Sequence, residues 1–199
     1  MTAKDTKNAN VGDLLTTEVV DGALIVRFKR PEIRNPLSVE VIERLDEILE
    51  RIDADRVVFT GTDNVFASGA DLREIAAIWA DTAEEFALRG QRLMTKIAAL
   101  PQMTIAAING YCFGGALDLA LACDRRIGSR NAKFAHPGAG LGIITGWGGT
   151  QRLPRLVGTA NALEMFFTAT PIDAERVLAI GLIDEIADDP LGAALKFVG

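Results

Sequence analysis

Three short segments hold residues whose types and order can do chemistry on a small molecule. The first is Val65-Phe66-Ala67-Ser68-Gly69-Ala70-Asp71-Leu72, between a strand pattern and a helix pattern. Small side chains from Ala67 to Ala70 let a ligand approach the main chain, and Gly69 opens backbone conformations closed to other residues. N–H groups at the start of the next helix then face outward, ready for an anion; a plain strand-to-helix loop is the simpler reading. The second segment is NGYCFGGALDLALACD, residues 109–124. Gly114-Gly115 opens an apolar helix there, so the Gly115 N–H sits at the positive end of the helix dipole. Converging N–H donors from Ala70 and Gly115 would stabilise negative charge developing on a carbonyl oxygen, about 3–4 kcal/mol per donor. Asp118 lies three residues after Gly115, one turn in on the same face. It either complements the dipole or moves protons near that carbonyl. As the lone charge between Tyr111 and Cys123, in a helix that otherwise reads as buried, it favours the chemical role.

The third segment is AKFAHPGAGLGIITGWGGTQRLPRLVG, residues 132–158. Its dense glycines from Gly138 to Gly149 imply tight turns around a pocket. His136 is the only histidine in the chain; ahead of a proline it reads first as a packed residue, and secondly as a proton carrier. Thr145 and Trp147 are either pocket-lining or core and turn residues.

The elements that must position these groups alternate between short β-type runs and amphipathic helical runs, the pattern of βα units in an α/β fold. Asp21-Gly22 is a two-residue hairpin signal between strands at 16–20 and 23–28. From Ser38 to Asp53, Val41, Ile42, Leu45, Ile48, Leu49 and Ile52 recur at helical spacing behind a Ser38 N-cap. Further helices are expected at 82–99, from Gly114, at 148–156, 159–168 and 173–179, and near 190–197. Strands are expected at 57–59, 104–108, 125–129, 133–135 and 183–186. No internal repeat or low-complexity tract interrupts the pattern.

The 199 residues, 49% hydrophobic, suffice for one domain with its own core. Residues 1–13 have no apolar run and read as a disordered lead-in, with the domain over 14–199. A net charge of −6 argues against nucleic acid as a partner. Arg27, Lys29, Arg30 and Arg34 stand out against it, either as a solvated strand edge or as a local cradle for a polyanion. No run is long enough for a membrane span. Two cysteines, Cys112 and Cys123, make no disulfide framework, and a reduced, cytoplasmic setting is expected. The lone histidine has no ligand cluster beside it, so no metal site is expected.

Together the three segments resemble the crotonase superfamily, the enoyl-CoA hydratase/isomerase family, from Leu24 to about Ile186. Residues 104–158 carry the family signature; VFASGADLREI and the RPEIRNPLS turn match two further motifs in order. The resemblance implies a crotonase-like (ClpP/crotonase) spiral of ββα units. It also implies an acyl-CoA thioester substrate, coenzyme A being part of the substrate with no tightly bound cofactor. The oxyanion donors fall on the N–H groups of Ala70 and Gly115, and the CoA and acyl contacts on Ser68, Asp71, Leu72 and Gly114 around them. Arg34 becomes a contact for the nucleotide end of coenzyme A. A homo-oligomer, trimer or dimer of trimers, is the family's usual assembly.

Two departures accompany these matches. Of the two glutamates that hydratases of the family use on one water, the first corresponds to Asp118 and the second to Gly138. A further acid position of the family falls on Gly146. The chain also stops short of the family's C-terminal helical region, which reads as shortened or absent. The leading reading is an enoyl-CoA hydratase/isomerase-type enzyme with Asp118 as the one remaining general acid/base and His136 as a possible second. Alternatives are a non-catalytic acyl-CoA binding protein and a decarboxylase or C–C lyase acting on a CoA thioester.

Overall fold

The computed structural model describes residues 10–11 and 14–197. The lead-in expected over 1–13 lies outside the described residues, apart from Asn10–Val11 (β1), which pairs antiparallel with the next strand. The hairpin forms as expected. Strands β2 (Leu15–Val20) and β3 (Ala23–Phe28) pair antiparallel, and Asp21 and Gly22 take φ of 48° and 74°, as a primed two-residue turn requires. After a 3-10 turn at Pro31–Ile33, β4 (Pro36–Leu37) leads into α1 (Val39–Leu49), capped by the Ser38 hydroxyl accepting from Val41 N. This helix ends before Asp53: Ile52 reaches the core from the following connection, so the apolar period outruns the helix.

The chain continues through β5 (Arg56–Thr60), β6 (Val65–Ala67), β7 (Gly69–Ala70), α2 (Leu72–Ala76) and α3 (Ala83–Ala98). Then come β8 (Met103–Ile108), β9 (Tyr111–Phe113), α4 (Gly115–Ala122), β10 (Arg125–Gly128) and β11 (Lys133–Ala135). A 3-10 turn at Pro137–Leu141 precedes α5 (Gly149–Val157), α6 (Thr159–Thr168), β12 (Ile172–Asp173), α7 (Ala174–Ala179), β13 (Glu185–Ile186) and α8 (Pro190–Lys196).

The large sheet has the order β1-β2-β3-β5-β8-β10-β13 and is parallel from β3 onward. The smaller sheet has the order β12-β11-β9-β6, with β6, β9 and β11 parallel. In each consecutive pair, β5 and β6, β8 and β9, β10 and β11, the first strand joins the large sheet and the second the small one, before the chain turns into a helix. That is the expected spiral of ββα units. The main core packs Leu45, Phe59, Ile97, Leu117 and Phe134 among others, while a second cluster with Ala23, Val58 and Ile105 seats α8 on the large sheet. Helix α4 is buried from Ala116 to Ala122, as its nearly uniform apolar composition demands. Both cysteines are buried and free. No described helix is long and apolar enough to cross a membrane.

Candidate active site

Parallel pairing in the small sheet brings three strand ends together. Ala67 lies opposite Cys112 and Phe113 opposite Ala135, so the chain leaves β6, β9 and β11 at neighbouring points. Crevices beyond the carboxyl ends of parallel strands are where α/β sheets bind ligands. Ser68-Gly69-Ala70, Gly114-Gly115 and His136 follow these three ends directly. The junction is tight: Gly114 N donates to Ala135 O at 2.9 Å, and a methyl group on Gly69 would come within 2.7 Å of Gly115 N and of Phe113 O. Gly69 has a φ of 89° and Gly114 a φ of 55°, conformations that favour glycine. A methyl group on Gly115 would lie 3.4 Å from Ala70 N, so the two backbone segments expected to carry the donors face one another. Gly115 is the first residue of α4, where a helix leaves its N–H groups without intrahelical partners.

Asp118, one turn into α4, is fully buried. Its Oδ2 accepts a hydrogen bond from the Thr145 hydroxyl. Its Oδ1 lies 3.7 Å from His136 Nε2, too far for a hydrogen bond, and makes no other. Both ring nitrogens of His136, 3% exposed, are likewise unpartnered. Burial pushes the Asp118 carboxyl up to about 6, against the opposing pull of the Thr145 hydrogen bond, the Trp147 backbone N–H and the Arg152 charge. Burial pushes His136 down to about 4, so near neutral pH the pair is an anion beside a neutral imidazole.

These groups share one cavity of about 370 Å³. Ala70, Gly114 and Gly115 form its backbone wall, Asp118 and His136 supply its titratable groups, and Ser68, Leu72 and Gly138 also line it. Most of the remaining lining is apolar, including Ile75, Phe86 and Ile144. Among the described residues no His/Cys/Asp/Glu cluster fits a metal. Two expected site residues are not in the lining. Asp71 is held by Arg73, with Nη2 to Oδ2 at 2.6 Å, and caps α2, which keeps its carboxyl below the usual range. Arg34 is exposed on a left-handed turn residue with a φ of 66°. Its neighbour, buried Asn35, ties that turn to the site by donating to Val65 O and Phe66 O, both at 3.1 Å. Pairing of β4 with β7, Leu37 opposite Ala70, holds the donor segment from the other side.

A family model for enoyl-CoA hydratase/isomerase matches residues 18–191, nearly the whole described chain. The chain belongs to the enoyl-CoA hydratase/isomerase family. Similar relatives include a short-chain-enoyl-CoA hydratase of Clostridium acetobutylicum, 36% identical over 82% of this chain and 65% of that protein. A crotonyl-CoA hydratase of Syntrophomonas wolfei is 38% identical over 81% of this chain and 64% of its own length. The chain thus spans just under two thirds of the length of these relatives. The crystal structure of an enoyl-CoA hydratase from Thermoplasma volcanium superposes with a TM-score of 0.88 at 31% identity, covering 92% of this chain and 75% of that one.

Within this family frame, sequence reasoning missed how Asp118 is held. Thr145 reads there as pocket lining or turn, and nothing local signals a contact across 27 residues. It also missed Gly149, where a Cβ would collide with Asp118 Oδ1, although the glycine density was an available signal. Trp147, expected to line the pocket or pack in the core, does both, its indole filling the space left by Gly90 and Gly115. At Gly138, where the sequence shows no carboxylate, the turn is tight. Ile143 N donates to Gly138 O at 3.0 Å, and a Cβ at 138 would stand 2.6 Å from Ile143 O.

Proposed function

We propose that this chain acts on an acyl-CoA thioester and adds water reversibly across a 2-enoyl double bond, with Asp118 and His136 holding the water. The observation that carries the reading is the set of unpartnered buried atoms, Asp118 Oδ1 and His136 Nε2, facing each other at 3.7 Å in the cavity. Buried polar atoms without partners cost stability, and where they line a cavity a bound water or ligand can pair them. One oxygen atom can sit within hydrogen-bond reach of both.

The chemistry balances with these groups alone. The thioester carbonyl oxygen lies against the N–H groups of Ala70 and Gly115. Asp118 Oδ1 takes a proton from the water as its oxygen bonds to C3, and the C2–C3 double bond becomes the enolate. The backbone donors stabilise that enolate oxygen. Protonated Asp118 then returns its proton to C2, leaving a 3-hydroxyacyl thioester and the original carboxylate. His136, carrying its proton on Nε2, donates to the water oxygen and orients it. Arg34, exposed beside the site's outer turn, remains our assignment for the nucleotide end of coenzyme A, and a trimer or dimer of trimers our assignment for the assembly.

Following the absorbance of a conjugated 2-enoyl-CoA tests this reading. We expect turnover by the wild type, and losses of about 10²–10⁴-fold in Asp118→Asn and of at least tenfold in His136→Gln. Full activity in His136→Gln would remove the histidine from the mechanism. Saturable thioester binding without turnover of any enoyl substrate would leave a binding protein.

A further inference from the structure

We propose that Thr145 is the positioning residue of this site, its hydroxyl holding Oδ2 of Asp118 so that Oδ1 alone exchanges protons with the substrate. The inference rests on the acyl-CoA reading above. Its basis is geometric. The Thr145 hydroxyl has one hydrogen and gives it to Oδ2. Oδ1 is left buried, unpartnered, and turned toward His136 Nε2 at 3.7 Å. The same hydrogen bond suits both states of the acid. With Asp118 ionised it supports the anion that takes the proton. With the proton on Oδ1, Oδ2 is still a carbonyl-type acceptor and the bond persists. Taking and returning a proton at one atom therefore needs no rotation of the carboxyl.

The hydroxyl is itself held in place. Thr145 is half-buried in the connection before α5. Gln91 Nε2 on α3 donates to Gly146 O at 2.8 Å. Trp147 is wedged against Gly90 and Gly115, and Arg152 donates from Nη1 to Trp147 O at 3.4 Å and from Nη2 to Met94 O at 3.2 Å. The two residues that follow Thr145 are thus fastened to α3 and α5. Gly149 leaves the room that Asp118 and the Thr145 methyl occupy.

No other side chain facing Asp118 duplicates the hydroxyl, although the Trp147 backbone N–H also favours the ionised carboxylate. His136 approaches from the turn after β11 but is out of hydrogen-bond range. Arg152 on α5 acts through its charge, and the Cys112 thiol on β9 is kept protonated by burial. Among these neighbours, Thr145 is the side chain that contacts the carboxyl directly and favours its ionised form.

The test is the pH profile of Thr145→Val and Thr145→Ser beside the wild type. In Thr145→Val we expect the acid limb of kcat to move up by about one pH unit, since a hydrogen bond to a charged group is lost, while KM changes less than threefold. Thr145→Ser should keep the wild-type limb. An unmoved limb in Thr145→Val overturns the proposal, because a purely structural role would lower activity evenly across pH. Should the wild type turn over no enoyl thioester, the acyl-CoA reading fails by itself. The positioning claim is then read from the carboxyl ¹³C titration of Asp118 in the free protein. There the midpoint must rise in Thr145→Val, or in Thr145→Ala if the valine variant does not fold, and hold in Thr145→Ser. An unchanged midpoint overturns it equally.

Discussion

Asp118 shows what a sealed carboxylate does to the protein that carries it. Its acid form persists to about pH 6 because burial strips most solvent from the charge, whereas an unfolded aspartate ionises near 3.8. The native state therefore binds this proton more tightly than the unfolded state does, and stability is lost as pH rises from about 4 to about 6. Above that window ionised Asp118 costs about 3 kcal/mol, taking two pKa units at 1.36 kcal/mol each. Asp118→Asn should thus gain up to about 3 kcal/mol at pH 8, as urea unfolding would read, while losing turnover; the gain should vanish near pH 4. No gain at pH 8 would mean that the ionised carboxylate is better solvated than its burial implies. His136 works in the opposite sense. Its folded value, about 4, lies below its usual 6.5, so its contribution is lost as pH falls through that range. Between pH 4 and 6 the two slopes oppose each other. His136→Gln removes one of them, and its stability should fall with rising pH across this window, where the wild type stays nearly level.

At the scale of elements, the site depends on what three glycine-bearing junctions leave out. Gly149, first in α5, faces Asp118 Oδ1 and Thr145, whereas Gly146 three residues earlier has nothing within 4 Å of where a Cβ would stand. Gly149→Ala should cost about 1–3 kcal/mol by overpacking and displace the carboxyl, lowering kcat at least tenfold. Gly146→Ala should leave both thermal unfolding and turnover near wild type. Equal behaviour of the two variants would show that Asp118 has room to move. How much of this was legible in the sequence follows from element length. The hairpin, α3 and the central strands β5 and β8 show their period over five or more residues. β6, β9, β11 and β12 have three residues or fewer, too short to display alternation, and β6, β9 and β12 are absent from the sequence reading. Yet the parallel pairing of β6, β9 and β11 delivers the site. Asp118 was recognisable because the rest of α4 is apolar. Its partner Thr145 was not, because the contact joins distant segments and neither residue type announces it.

The whole molecule adds a constraint that no single residue carries. The chain's charge is −6, and its cavity is lined by apolar side chains with no lysine or arginine among them; Asp118 and His136 are its titratable groups. The cations near the site lie outside that lining: Arg73 is bound to Asp71, Arg152 faces backbone carbonyls, and Arg34 is exposed on the outer turn. On the placement proposed above, positive charge stands outside the cavity, with the exposed Arg34, and is absent from the lining that would hold the acyl chain. An acyl group ending in a carboxylate would leave water for this lining without a counter-charge, facing an anionic Asp118. Such a transfer costs several kcal/mol, so kcat/KM for an ω-carboxylated 2-enoyl-CoA should fall at least 100-fold below that of the uncharged thioester of equal length. The same comparison bears on decarboxylation, since a malonyl-type thioester brings the same unpaired charge beside the same carboxylate. Measuring both thioesters across ionic strength separates the causes: burial of the charge predicts a salt-independent ratio, whereas repulsion by the acidic surface predicts one that shrinks as salt rises. Parity at low salt would show that the acyl end reaches solvent rather than the apolar lining.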